Sequence, residues 1–396
     1  MDKIIINKNT ITNLIIFLLL VLTFVFPLSV NGIPSTLYEV IADVLLLLFA
    51  LILWIRGKKP AYKNLIVFFV LLYLFWATII AIDGSNGDLK FGYARTICII
   101  VTLLLFANNF SFCSDLRYYK KIIDFLVLGI VLINIISLLN LININSLLSN
   151  YYTQYLQYIT DYQFTIRKPI MTFGVHNIAS FVYEGLLLVS YYWYTKFGEK
   201  KHIIYTIIFL ALLMMLRCST SIAYLLFDVI IIVYYQTRSP RKLILTIIGF
   251  TALIFIAFQF DLIDVYRDIL GQQTNGWISR YSNGIQTIFA ENIDAIRKYP
   301  IGTGFSIAAH ENGLYGADSG FIINFTIGKI VYFICFYALL IKKVNSFCKK
   351  KFISYIFIGY ILIMELGFVT FLYYKTISFI IVLFSILCCT ESNRYS

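Results

Sequence analysis

The stretch Pro300–Phe321, PIGTGFSIAAHENGLYGADSGF, sets a histidine and two carboxylates among glycines in a chain that is otherwise mostly apolar. His310, Glu311 and Asp318 are residue types that can take a proton from a hydroxyl, so they are candidate general bases. Asp318 also stands where an aspartate caps a following helix, and the two roles are compatible. Gly302 and Gly304 allow a tight turn or a close approach of backbone to a ligand. A second set of residues is cationic. Arg167 precedes PIMTFGVHNIASFVYEGLL, Arg217 lies in LRCSTSIAYLL, and Arg280 lies in GWISRYSNG, with Arg297 further on. A guanidinium forks onto phosphate oxygens, and hydroxyls such as that of Ser221 assist at a helix N-terminus. Single exposed arginines are usually only solvated; an anionic ligand gives their concentration a purpose. His176, Asn177, Ser180 and Glu184 fall at i, i+1, i+4 and i+8, so most share one helix face. They read as the wall of a polar cavity or as groups that satisfy one another in helix packing.

The elements that carry these residues follow from composition. The chain has 396 residues, of which 60% are hydrophobic and 13% charged. Its mean hydropathy is +0.84. Apolar runs of about 18 residues or more recur along it, and such runs read as transmembrane helices. The expected fold is therefore an all-α integral membrane protein of one polytopic domain. Twelve spans are expected, at roughly 11–30, 36–55, 64–82, 92–108, 121–141, 170–194, 202–216, 220–235, 242–260, 318–341, 352–370 and 374–390.

With the N-terminus inside, the inner segments hold most of the 32 Lys and Arg. This positive-inside bias places both termini in the cytoplasm. The net charge of +12 is mostly that topology signal. No basic run interleaved with aromatics suggests nucleic acid. Seven cysteines show no C-x-x-C spacing, so neither a disulfide framework nor a zinc site is expected. Paired-carboxylate metal spacing and a phosphate-cradling loop are also absent from the sequence, so no metal and no cofactor are expected.

On this topology the polar chemistry collects outside. The main outer loops are about 143–168 and 261–317. The second holds Trp277, Ile285, Ile288, Phe289, Ile293 and Ile296, spaced mostly by three and four. That spacing predicts a surface helix over about 279–299, which Pro300 stops.

Four segments, taken in order, resemble the O-antigen polymerase and O-antigen ligase superfamily of bacterial surface-polysaccharide assembly. They are RKPIMTFGVHNIASF, LRCSTSIAYLL, SRYSNGIQTIFAENIDAIRKYPIGTGF and DSGFIINFTIGKIVYFI. The resemblance covers most of residues 160–340. Two positions depart from the pattern. Ile222 stands where the family often has Arg, and Asp318 stands where the ligases carry His, which favours a polymerase. The resemblance implies a GT-C-like fold in the bacterial cytoplasmic membrane. It also implies a metal-independent, inverting glycosyl transfer at the outer face. The donor would be a glycan on undecaprenyl diphosphate, and the acceptor another lipid-linked repeat unit. Arg167, Arg217 and Arg280 would stabilise the diphosphate, and His310, Glu311 or Asp318 would take the proton. A chain-length regulator and a flippase of the same pathway are the implied protein partners. The alternatives are a ligase-type glycan transferase and a lipid-linked glycan flippase or other transporter. Asp43, Asp124, Asp228, Lys329 and Glu365, in or near spans, suit an ion pathway in the latter.

Overall fold

The computed structural model describes residues 8–26, 40–48, 65–83, 116–152, 157–237, 299–306, 319–348 and 350–392, together with Leu37 and Ile97. Every regular element among them is helical. Among the described residues, three helices are long and apolar enough to cross a bilayer: Leu116–Leu138, Gly320–Ser346 and Tyr374–Glu391. Length and composition thus make this a helical membrane protein. The expected spans 92–108 and 242–260 and the surface helix over 279–299 lie outside the described residues or nearly so, and span 36–55 is described only in part.

In chain order the helices are α1 (Lys8–Phe24), α2 (Leu65–Asp83), α3 (Leu116–Leu138), α4 (Ile144–Tyr152), α5 (Gln157–Thr165), α6 (His176–Phe197), α7 (Lys200–Leu216), α8 (Ser219–Thr237), α9 (Gly320–Phe347), α10 (Lys351–Gly367) and α11 (Tyr374–Ser392). The central helix is α6, buried from Ile178 to Ser190. It packs against α7, α8, α10 and α11. The apolar window of α11 is likewise wholly enclosed by protein. By contrast α3 shows Phe125, Leu128 and Leu132 to its surroundings, as a helix facing lipid does.

Tight turns set the directions of these helices. Gly198, in the left-handed region at φ 71°, caps α6, and α7 returns antiparallel beside it. Arg217 caps α7 in the same region and α8 returns again. One end of the bundle therefore gathers the starts of α6, α8, α9 and α11 with the ends of α7 and α10. The opposite end gathers Lys120, Lys196, Glu199, Lys201 and Glu391.

Two expectations change here. The span expected to begin at residue 170 becomes helical only at His176. Pro169 and the positive-φ residues Met171 and Gly174 break the helix, and the intervening turns are buried. The stretch expected as an outer loop over 143–168 carries two short helices, α4 and α5.

Candidate functional site

The turn between α7 and α8 is the first piece of the site. Arg217 takes φ 49° and ψ 50°, a left-handed C-cap that favours glycine or asparagine. The turn is tied from within. The Ser221 hydroxyl donates to the Cys218 carbonyl at 2.9 Å and accepts from the Cys218 amide at 3.1 Å. Turned this way, the Arg217 carbonyl accepts from Lys168 Nζ at 3.3 Å. Lys168 is only 6% exposed. Its titratable neighbours are Cys218, Arg217 and His176. Burial, with Arg217 beside it, pulls its amine below the usual lysine range. At the start of α6, His176 Nδ1 is buried and has no hydrogen-bond partner. Three cationic or donor groups converge here, and among the described residues no carboxylate is in salt-bridge contact with Lys168. Such a cluster suits an anion, since buried charge is stable only when compensated.

Asn177 ties this cluster to α8 and α10. Its amide donates to the Gly367 carbonyl at 3.4 Å, and its oxygen accepts from Thr220 at 3.3 Å. Just beyond lies Glu365, fully buried on α10. Its carboxylate accepts from Tyr337 at 2.5 Å, from Asn324 at 3.2 Å and from the Thr370 amide at 2.8 Å. The Ser319 hydroxyl donates to the Glu365 carbonyl at 3.1 Å, which fixes the start of α9 to the end of α10. At Gly320 a Cβ would run into the Glu365 carboxylate. Three donors compensate this charge, so Glu365 is a clamp between α9 and α10.

A further buried cation stands at the start of α11. Lys375 is fully buried and donates to the carbonyls of Thr23 at 3.1 Å and Thr172 at 3.2 Å. Its amine also lies 5.6 Å from the centre of the Phe173 ring. It draws the end of α1 and the turns before α6 together.

The segment 299–306 packs against the body of α9 rather than beyond its end. Helix α9 kinks at Gly328 and Lys329, which leave helical φ/ψ. The kink frees carbonyls one turn earlier. Thr303 and Gly304 fill them, their amides donating to Thr326 O at 3.0 Å and Ile327 O at 2.8 Å. On the other side α2 holds the segment. Tyr73 donates to Ile301 O at 2.8 Å and Thr78 accepts from the Phe305 amide at 2.9 Å. Gly328 is eight residues into α9, about 12 Å along its axis. Irregular backbone is tolerated at such depth only where protein satisfies it, as here. Gly302 (φ 120°) lies with its Cα face against Ile327 and Gly328, so only glycine fits.

The residues singled out in the sequence therefore divide. Arg217, His176 and Asn177 come together. Ser221 lies beside them, but its hydroxyl is spent within its own turn. Arg167 is exposed at the end of α5 and stands apart, and its neighbour Lys168 takes the buried position. Gly302 and Gly304 belong to the α2–α9 contact. Arg280, Arg297, His310, Glu311 and Asp318 lie outside the described residues. Lys375 was passed over in the sequence because a lone lysine ahead of an apolar run looks like an interfacial anchor. Among the described residues no group of three His, Cys, Asp or Glu side chains could hold a metal ion. No protein-family model matches the chain, and neither does any curated protein or solved structure.

Proposed function

We propose that this chain is a membrane-embedded, metal-independent glycosyltransferase that polymerises polysaccharide repeat units from a polyprenyl-diphosphate donor. In this reading the Lys168 end faces the outside of the bacterial cytoplasmic membrane, and the basic end with Lys120, Lys196 and Lys201 faces the cytoplasm. The observation that carries it is the approach of buried Lys168 to the Arg217 carbonyl and to His176, with no carboxylate in salt-bridge contact with Lys168 among the described residues. A diphosphate leaving group gains negative charge as the glycosidic bond breaks. Fixed cations stabilise that charge without a metal. Lys168 and Arg217 would hold the diphosphate, and His176 would donate a hydrogen bond. Asn177 positions the start of α6 against α8. The base is proposed to be His310, Glu311 or Asp318.

The test is reconstitution of the full chain with a lipid-linked repeat unit, with and without a chelator. A ladder of glycan lengths that persists under chelation supports the reading. Transfer of the glycan to a different lipid or wall acceptor would make it a ligase-type enzyme. Movement of the lipid-linked unit across the bilayer without elongation would overturn the reading in favour of a transporter.

A further inference from the structure

Two turns below the Asn177–Thr220 bond, α6 and α8 meet again through acidic side chains. Glu184 on α6 is fully buried and Asp228 on α8 is 2% exposed. Glu184 follows His176 by eight residues, and Asp228 follows Thr220 by eight, so the two reach the same depth. The Asp228 carboxyl faces that of Glu184. Neither Glu184 oxygen finds a hydrogen-bond donor, and nor does Asp228 Oδ2. Among the described residues no Lys, Arg or His contacts either group.

The surroundings close the pair in. The titratable groups nearest it are Tyr224 on α8 and Tyr360 on α10. Both hydroxyls are already committed, donating to Tyr360 O at 3.0 Å and Phe181 O at 2.7 Å. Beyond Tyr224 lie Cys218 and Glu365. From α11, Phe379 and Leu383 pack at Gly185. From α7, Phe209 stacks on Tyr183. A small cavity one turn further along is lined by Leu188, Ile231, Ile356 and other apolar or aromatic groups.

Two anions facing each other in such a place are unstable, through lost hydration and mutual repulsion. A shared proton removes one charge and supplies the missing donor, giving an O–H···O⁻ bond. A sodium ion would need further oxygens besides those of the two carboxyls. We propose that Glu184 and Asp228 form a proton-binding site inside the bundle, holding one proton between them. That proton ties α6 to α8 beneath the Asn177–Thr220 contact. This assignment does not rest on the glycosyltransferase reading.

The test uses the purified full chain in detergent or nanodiscs, and no activity assay. Dicyclohexylcarbodiimide reacts with protonated carboxyls in apolar surroundings. Peptide mapping should place the adduct on Glu184 or Asp228, with labelling falling severalfold as pH rises. Infrared spectra at neutral pH should show a protonated carboxyl band that is absent from the Glu184→Gln/Asp228→Asn double variant. If that variant does not accumulate, loss of the same band on alkaline titration of the wild-type chain supports the site. No adduct and no band at neutral pH would overturn the proposal. Protection of the pair by sodium at fixed pH would overturn it in favour of a cation site.

Discussion

At the Lys200 end of the α6–α7 hairpin, Lys120, Lys196 and Lys201 each lie within 4.0 Å of a carboxylate. At the Arg217 end, Lys168 rests on a backbone carbonyl, with Cys218, Arg217 and His176 as its titratable neighbours. The same hairpin thus handles positive charge in two ways. Paired charges of this kind fasten helices together, and the partly exposed ones contribute modestly. A buried amine without a carboxylate is costly to keep unless something else supplies the negative charge. In the proposed function, the second end is the one that takes the diphosphate.

Four experiments would break or sharpen this contrast. The largest effect is expected from Lys168→Ala and Arg217→Ala. Each should reduce the rate of glycan elongation by about 10²–10³-fold, the range for losing one donor to a developing anion. Lys120→Ala, at the paired end, should leave that rate unchanged. Equal losses at both ends would end the distinction.

Next comes Gly320→Ala. Its methyl group would meet the Glu365 carboxylate, and overpacking of this kind costs about 1–3 kcal/mol. Thermal unfolding in detergent should show the lowered Tm. An unchanged Tm would show that the α9–α10 clamp yields.

A pH profile comes third. Lys168 must be protonated to hold an anion, and burial already pulls its amine below the ordinary lysine range. Elongation should therefore fall as pH rises, earlier than an ordinary lysine would dictate. Lys168→Arg, with a guanidinium that stays charged, should extend activity to higher pH. Identical alkaline limbs in the two proteins would remove Lys168 from the site.

The smallest effect belongs to Glu199. The hydrogen bond from Lys120 holds its carboxyl below the ordinary value of 4.5. Its contribution is therefore complete above that value and is lost as pH falls below it. Glu199→Gln should cost less than about 1 kcal/mol, as partly exposed pairs do. It should also flatten the acid limb of the stability curve.

Several of these features were legible in residue order. The apolar runs placed α1, α2, α3 and α6 to α11 to within about six residues at each end, because apolar length is a property of the chain alone. Arg217, His176 and Asn177 were visible as polar groups at the edges of such runs. Other residues were not legible. Arg167 and Lys168 are adjacent cations, and nothing in the string says which one turns inward. Arg167, at φ 56°, closes α5 and points its charge to the surface, which leaves Lys168 to meet the α7–α8 turn. Glu365 reads in sequence as a membrane carboxylate fit for an ion pathway. Only the arrival of Asn324, Tyr337 and Thr370 from other segments makes it a clamp. PIGTGF reads as a loop end, and the carbonyls it fills exist only because α9 kinks.

The sequence by itself determined that this is a helical membrane protein, where many of its helices lie and which residue types could carry chemistry. Those follow from local quantities: apolar length, helical spacing and the φ/ψ tolerance of Gly and Pro. Tertiary structure alone decided which of those residues meet. It joined Lys168 to Arg217, Glu184 to Asp228 and Thr303 to the bend in α9. Each pairing crosses from one helix or loop to another. The cost of burying a polar group unpaired acts only once the helices have packed.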